Sequence, residues 1–241
     1  MTATASNQAR PWTAEIALRM RRLFLLKLGG TIAFTWIFFI GYFQLLRHPT
    51  QQPITMPLTA LDLLIPFQPY TLVAYLSLWF YIGFAPGLQR NFAELVVFGL
   101  WEAALCLSGL AVFYVFPTAV PALTFDVSGF PGFAMLQGVD ATGNAFPSMH
   151  VAVAIFTAMH VEDVLRRARV PWTLRLLNVL WFLAIAWSTL AVRQHVVLDV
   201  IGGAMLGMAF AVPSLRWRPR SDVPMARADP LPAAFANRTN L

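Results

Sequence analysis

Long apolar runs divided by short polar stretches dominate the chain. They extend from Leu23 to Leu46, Tyr70 to Ala85, Leu95 to Phe116, Ser148 to Val161, Leu174 to Val192 and Val196 to Leu215. A helix rising about 1.5 Å per residue needs roughly 20 apolar residues to cross a hydrocarbon core of about 30 Å. The pattern therefore predicts an all-α, polytopic membrane protein, a six-transmembrane-helix bundle. The second and fourth runs are short for a bilayer, so their helices are expected to extend into flanking residues or to cross a locally thin patch. The first run follows Arg19, Arg21 and Arg22 and continues to Arg47, which fits a signal-anchor better than a cleaved signal peptide.

The polar stretches orient the bundle. Placing the N-terminus in the cytoplasm leaves only Arg47 and Arg193, of 17 Lys and Arg residues, on the outer side. An odd number of spans would spoil that bias, so both termini are expected to be cytoplasmic. The expected organisation is a cytoplasmic segment (1–22), a membrane domain (23–215) and a disordered cytoplasmic tail (216–241) rich in proline. The stretch from Thr50 to Pro69 is expected to be an outer loop with a short interfacial helix. Pro117 to Pro147 is expected to form a lid or substrate-shaping loop on the same side.

Composition agrees, with 58% hydrophobic and 12% charged residues, far from a soluble domain. The net charge of +6 does not point to nucleic acid, because the arginines flank apolar segments and no aromatic-basic motif accompanies them. The single cysteine, Cys106, excludes an intrachain disulfide and is expected to be a small packing residue.

The chemistry is concentrated in two segments that the orientation places on one face. In Asn144-Ala145-Phe146-Pro147-Ser148-Met149-His150, Pro147 suits the first turn of a helix, and the exposed N–H groups of a helix start favour an anion. Asn144 and Ser148 are candidate phosphate-binding residues, and His150 is placed to exchange a proton with a bound group. In Arg193-Gln194-His195-Val196-Val197-Leu198-Asp199, His195 and Asp199 are four apart and share a helical face. An aspartate accepting from Nδ1 fixes the tautomer and leaves Nε2 as a nucleophile, while Arg193 offers positive charge to a phosphoryl transition state.

The stretch from Phe146 to His150, and that from Ser188 through Arg193 and His195 to Asp199, resemble the second and third signature motifs of the type 2 phosphatidic acid phosphatase (PAP2) and haloperoxidase superfamily. The branch that includes inositol phosphorylceramide synthases is most similar. The resemblance implies a six-helix membrane fold with the site at one face. It implies that His195 is phosphorylated, that Asp199 orients it, that His150 protonates the leaving oxygen and that Ser148 binds phosphate. Three departures stand out: the family's basic first motif is missing from the outer loop, Met149 occupies a usual glycine position, and Thr189 occupies a usual arginine position.

The expected activity is that of a lipid-phosphate phosphatase acting at the extracytoplasmic face through a phosphohistidine, with no metal or cofactor. In a bacterium it would occupy the inner membrane with its site facing the periplasm. The expected partners are a lipid phosphate and the bilayer; no oligomeric state follows. A head-group phosphotransferase is the close alternative, and a non-catalytic scaffold or transporter with a degenerate site is the rival from another class. Zinc bound by the histidines and Asp199 is disfavoured by spacing. Glu102 is expected to make a structural hydrogen bond or to pack protonated, His160 to be cytoplasmic or interfacial, and Asp62 and Asp140 to be solvated loop residues.

Overall fold

A computed structural model describes residues 11–123, 129–130, 132–133 and 143–217. Asp140, the middle of the 117–147 loop and the tail from residue 218 lie outside the described residues. The described chain is mostly helical. Helix α1 (Trp12–Arg21) precedes α2 (Phe24–Arg47), and the connection after α2 holds strand β1 (Ile54–Thr55) and α3 (Ala60–Leu64). Short turns α4 (Leu72–Leu76), α5 (Leu78–Tyr81) and α6 (Phe84–Gly87) lead to α7 (Phe92–Val115) and strand β2 (Thr118–Ala119). Helices α8 (Met149–Arg167), α9 (Trp172–Ala191) and α10 (Val197–Arg216) complete the order.

Among the described residues four helices, α2, α7, α9 and α10, are long and apolar enough to cross a membrane, and the chain is an integral membrane protein. The fourth apolar run belongs to α8, which falls outside that group because Glu162, Asp163 and two arginines continue the helix past Val161. Its charges are satisfied by neighbours: Arg167 Nε donates to both Asp163 carboxylate oxygens at 3.0 Å, and Arg175 Nε donates to Glu162 at 2.8 Å. Most of α8 is enclosed by protein, with Ala152, Ala154 and Phe156 fully buried. Helix α8 thus meets other helices instead of lipid, and its sequence need not be apolar throughout.

The second run is not a regular helix. Residues 69–87 form a 3-10 turn and three short helices, linked by i→i+3 bonds such as Phe80 N–H to Ser77 O (3.1 Å) and Gly83 N–H to Phe80 O (3.2 Å). Ser77 Oγ donates back to Ala74 O at 2.6 Å, and Pro86 contributes no N–H, so the helical ladder is interrupted on both counts.

Helices α8 and α10 approach closely because α10 offers glycines at the contact. A Cβ on Gly203 would lie 2.3 Å from Ser148 O, and one on Gly207 would lie 2.4 Å from Ala152 O. The connections after α2 and α7 are also stitched together, β1 pairing in parallel with β2 so that Ile54 faces Thr118 and Thr55 faces Ala119. The predicted short helix in the first connection is α3, whose Leu61, Leu63 and Leu64 are exposed.

Candidate active site

The segment before α8 is held by Thr118 at the end of α7's connection. Thr118 O accepts from Ala145 N–H at 3.3 Å, and Thr118 Oγ1 accepts from Phe146 N–H at 2.8 Å. Asn144 takes a left-handed backbone (φ +52°), a conformation asparagine tolerates, and its Nδ2 donates to Tyr42 O at 3.0 Å. Ser148 then caps α8: its Oγ accepts from Val151 N–H at 3.3 Å, and its own N–H donates to Asp199 O at 3.0 Å. The cap therefore joins the start of α8 to the start of α10.

The turn from α9 to α10 delivers His195. Both Gln194 N–H and His195 N–H donate to Thr189 O at 3.1 Å, while Thr189 Oγ1 donates to Ala186 O at 2.8 Å. Arg193 is left-handed (φ +59°), the usual way for a helix to end but a strained one for a side chain with a Cβ. Its guanidinium donates to Asp62 O at 2.9 Å and to Ile65 O at 2.6 Å, capping the end of α3. Asp199 Oδ2 accepts from Val196 N–H at 3.0 Å and lies 3.5 Å from His195 Nδ1. Asp199 is fully buried.

The two imidazoles converge. The His150 and His195 ring centroids are 5.7 Å apart with planes at 60°. His150 stacks on Tyr75 (4.4 Å between centroids) and meets the edge of Trp79 at 5.9 Å. A cavity of about 430 Å³ opens beside them, with Asn144, His150 and His195 on its wall. Ser148, Asp199 and Arg193 do not line that cavity; they stand behind the wall and hold it. Sequence reasoning missed Tyr75, which is almost fully buried beneath His150. Trp79 is half-exposed and makes a T-shaped contact with His150.

Two expectations, for Asp62 and His160, need correction. Asp62 is not a solvated loop residue: it is buried, closes a capping box with Thr59, and its Oδ1 accepts from Val197 N–H at 2.8 Å. The Thr59-x-x-Asp62 spacing was the signal that would have found it. His160 is interior instead of interfacial, with Nε2 2.8 Å from Ser214 Oγ and its ring against Phe98 and Phe156. Glu102, on α7, lines the same cavity as the histidines.

The departures from the motif pattern have local explanations. Met149 fills the space over Gly109 of α7, where a Cβ would come within 2.2 Å of its sulfur. A bulky residue at one position is thus matched by glycine across the contact. Thr189, in the usual arginine position, supplies the carbonyl that positions His195.

An apolar helical bundle with two imidazoles meeting over a helix start defines a class, integral membrane proteins equipped for phosphate chemistry. Residues 64–212 match the PAP2 superfamily, and the chain belongs to it. Membership brings activity of the phosphatase and phosphotransferase type. No curated protein and no solved structure matches the chain.

Proposed function

We propose that the protein is a membrane lipid-phosphate phosphatase that works through a phosphohistidine on His195, at the extracytoplasmic end of a six-span bundle. The observation that supports this most is the 5.7 Å approach of two imidazoles on one cavity wall, within reach of a single phosphorus atom. Asp199, 3.5 Å from Nδ1, favours the tautomer in which Nε2 carries the lone pair. Nε2 attacks phosphorus in line, the N–P bond forms as the ester P–O bond breaks, and His150 gives its proton to the departing alkoxide. Water then attacks the phosphohistidine, His150 takes its proton, and inorganic phosphate leaves.

The first-turn amides of α8 and the second N–H of Asn144 form the anion cradle, with Ser148 holding that turn in shape. The positive charge of Arg193 contributes from behind the wall while its N–H groups bind α3. An inositol phosphorylceramide synthase-like branch would share the first half-reaction and admit an alcohol in place of water. Mass spectrometry of products with and without alcohol acceptors separates the two.

In purified protein, His195→Ala is expected to reduce vanadate-sensitive phosphate release from lipid phosphates by about 10³-fold or more and to eliminate acid-labile phosphoenzyme. Unchanged turnover in that variant defeats the mechanism.

A further inference from the structure

The cavity does not stop at the histidines. It follows α2 from Tyr42, whose carbonyl binds Asn144, to Lys27. The fifteen helical steps from Lys27 to Tyr42 span about 22 Å, more than half of a hydrocarbon core of about 30 Å. Its wall is mostly aromatic and aliphatic, with Phe34, Phe38 and Val96 among the lining residues, and it also carries Thr31, Thr35 and Glu102. The far end is closed by Lys27, which is buried and donates from Nζ to Arg19 O (2.7 Å), Gly87 O (2.9 Å) and Gln89 O (2.7 Å). Those three bonds use all three ammonium donors, so Lys27 marks the far end of the cavity and has no donor left for an anion.

Two glycines deepen the cavity. Gly30 on α2 and Gly99 on α7 both line it, and a Cβ added at either meets nothing within 4 Å. No packing contact requires glycine there. What glycine provides at these two positions is empty space.

We propose that this cavity is a measuring tunnel for a single extended hydrocarbon chain of the phosphate-bearing substrate, and that Gly30 and Gly99 set the chain length it accepts. The proposal rests on the phosphatase reading for its head-group end, since only a phosphate at His150 and His195 would draw the attached chain into the tunnel. Its occupant is one long apolar chain, because the cavity is continuous with the candidate site and mostly apolar, with Glu102, Thr31 and Thr35 as polar side chains along it and Lys27 at its far end.

The probe is a long-chain alkyl phosphonate with a photoactivatable group at the chain end, applied to the full-length protein in detergent and mapped by mass spectrometry. Label on Lys27–Thr31 and Val96 is expected in the wild type, retreating toward Phe38 and Tyr42 in Gly99→Leu and in Gly30→Leu. In parallel, phosphate release from a short-chain and a long-chain phosphatidate is compared. Each variant is expected to keep the short-chain rate and lose about tenfold or more on the long chain, the effect of a few methylenes denied burial. Far-end label that retreats in the variants, with no turnover of any lipid by the wild type, upholds the tunnel and defeats the phosphatase reading. Label confined to the outward face of α2, or a label pattern and chain-length profile that neither leucine changes, overturns the tunnel.

Discussion

At the scale of single residues, the site depends on groups that never touch the cavity. Asp62 is the clearest. One carboxylate oxygen accepts from Thr59 N–H at 2.7 Å and from Thr59 Oγ1 at 2.6 Å, and the other accepts from Val197 N–H at 2.8 Å, two residues beyond His195. Arg193 returns the contact by donating to Asp62 O. The 59–65 segment and the His195 turn are thus locked to each other by a buried charge and a strained arginine. Asp62→Ala leaves buried donors unpaired and is expected to destabilise the fold by about 3 kcal/mol, read as a fall in melting temperature in detergent. It should also lower kcat, because the backbone after His195 loses its anchor. Wild-type melting temperature and kcat in Asp62→Ala would show that the lock is ornamental. His150, His195 and Asp199 were legible because short-range motifs carry them. Asp62 was obscured because its partner lies 135 residues away and a loop aspartate is solvated by default.

At the scale of elements, two runs differ from what apolar content alone describes, for opposite reasons. Residues 70–85 are apolar enough for a span, yet Ser77 and Pro86 divide the backbone into short turns. The run from Ser148 to Val161 is short for a span, yet α8 continues to Arg167 because its charged end finds partners. Periodicity and hydropathy report how a segment meets solvent or lipid, and α8 meets neither over most of its surface. Its fit against α10 is set by Gly203 and Gly207, a stripe that hydropathy does not register. A Cβ at Gly203 would press on Ser148 O, the residue that caps α8 two positions before His150. Gly203→Ala is therefore expected to separate the two helix starts and cut turnover by about 10²-fold, because an ångström of misplacement at the chemistry is enough. Gly29→Ala, whose new methyl meets nothing and which does not line the cavity, is the matched control and should fold at least as well as the wild type. Equal turnover in the two variants would show that the α8–α10 contact does not set the histidine geometry.

At the scale of the whole molecule, long-range hydrogen bonds sort the helix ends into two groups, and the groups differ in charge. The end of α2 meets the segment before α8 through Asn144, the connection after α2 pairs with that after α7, Gln68 N–H donates to Ala191 O at the end of α9, and Asp62 binds Val197 at the start of α10. These termini form one end of the bundle, and its arginines are Arg47 and Arg193. At the other end Arg19 donates to Leu88 O and Lys27 to Gly87 O and Gln89 O, tying α1 and the start of α2 to the chain leaving α6. Arg166, Arg167 and Arg175 flank the α8–α9 connection, away from the histidine end. Charge bias along the sequence and hydrogen bonding in the fold thus divide the molecule the same way, and the proposed six crossings require that division. Because Cys106 is the only cysteine, a Cys106→Ala background makes the arrangement testable with single cysteines at exposed positions. With a membrane-impermeant maleimide on intact cells, His48→Cys is expected to label at once and Arg166→Cys only after permeabilisation. The reverse pattern would put the histidines on the cytoplasmic side, and labelling of both from outside would break the six-crossing topology.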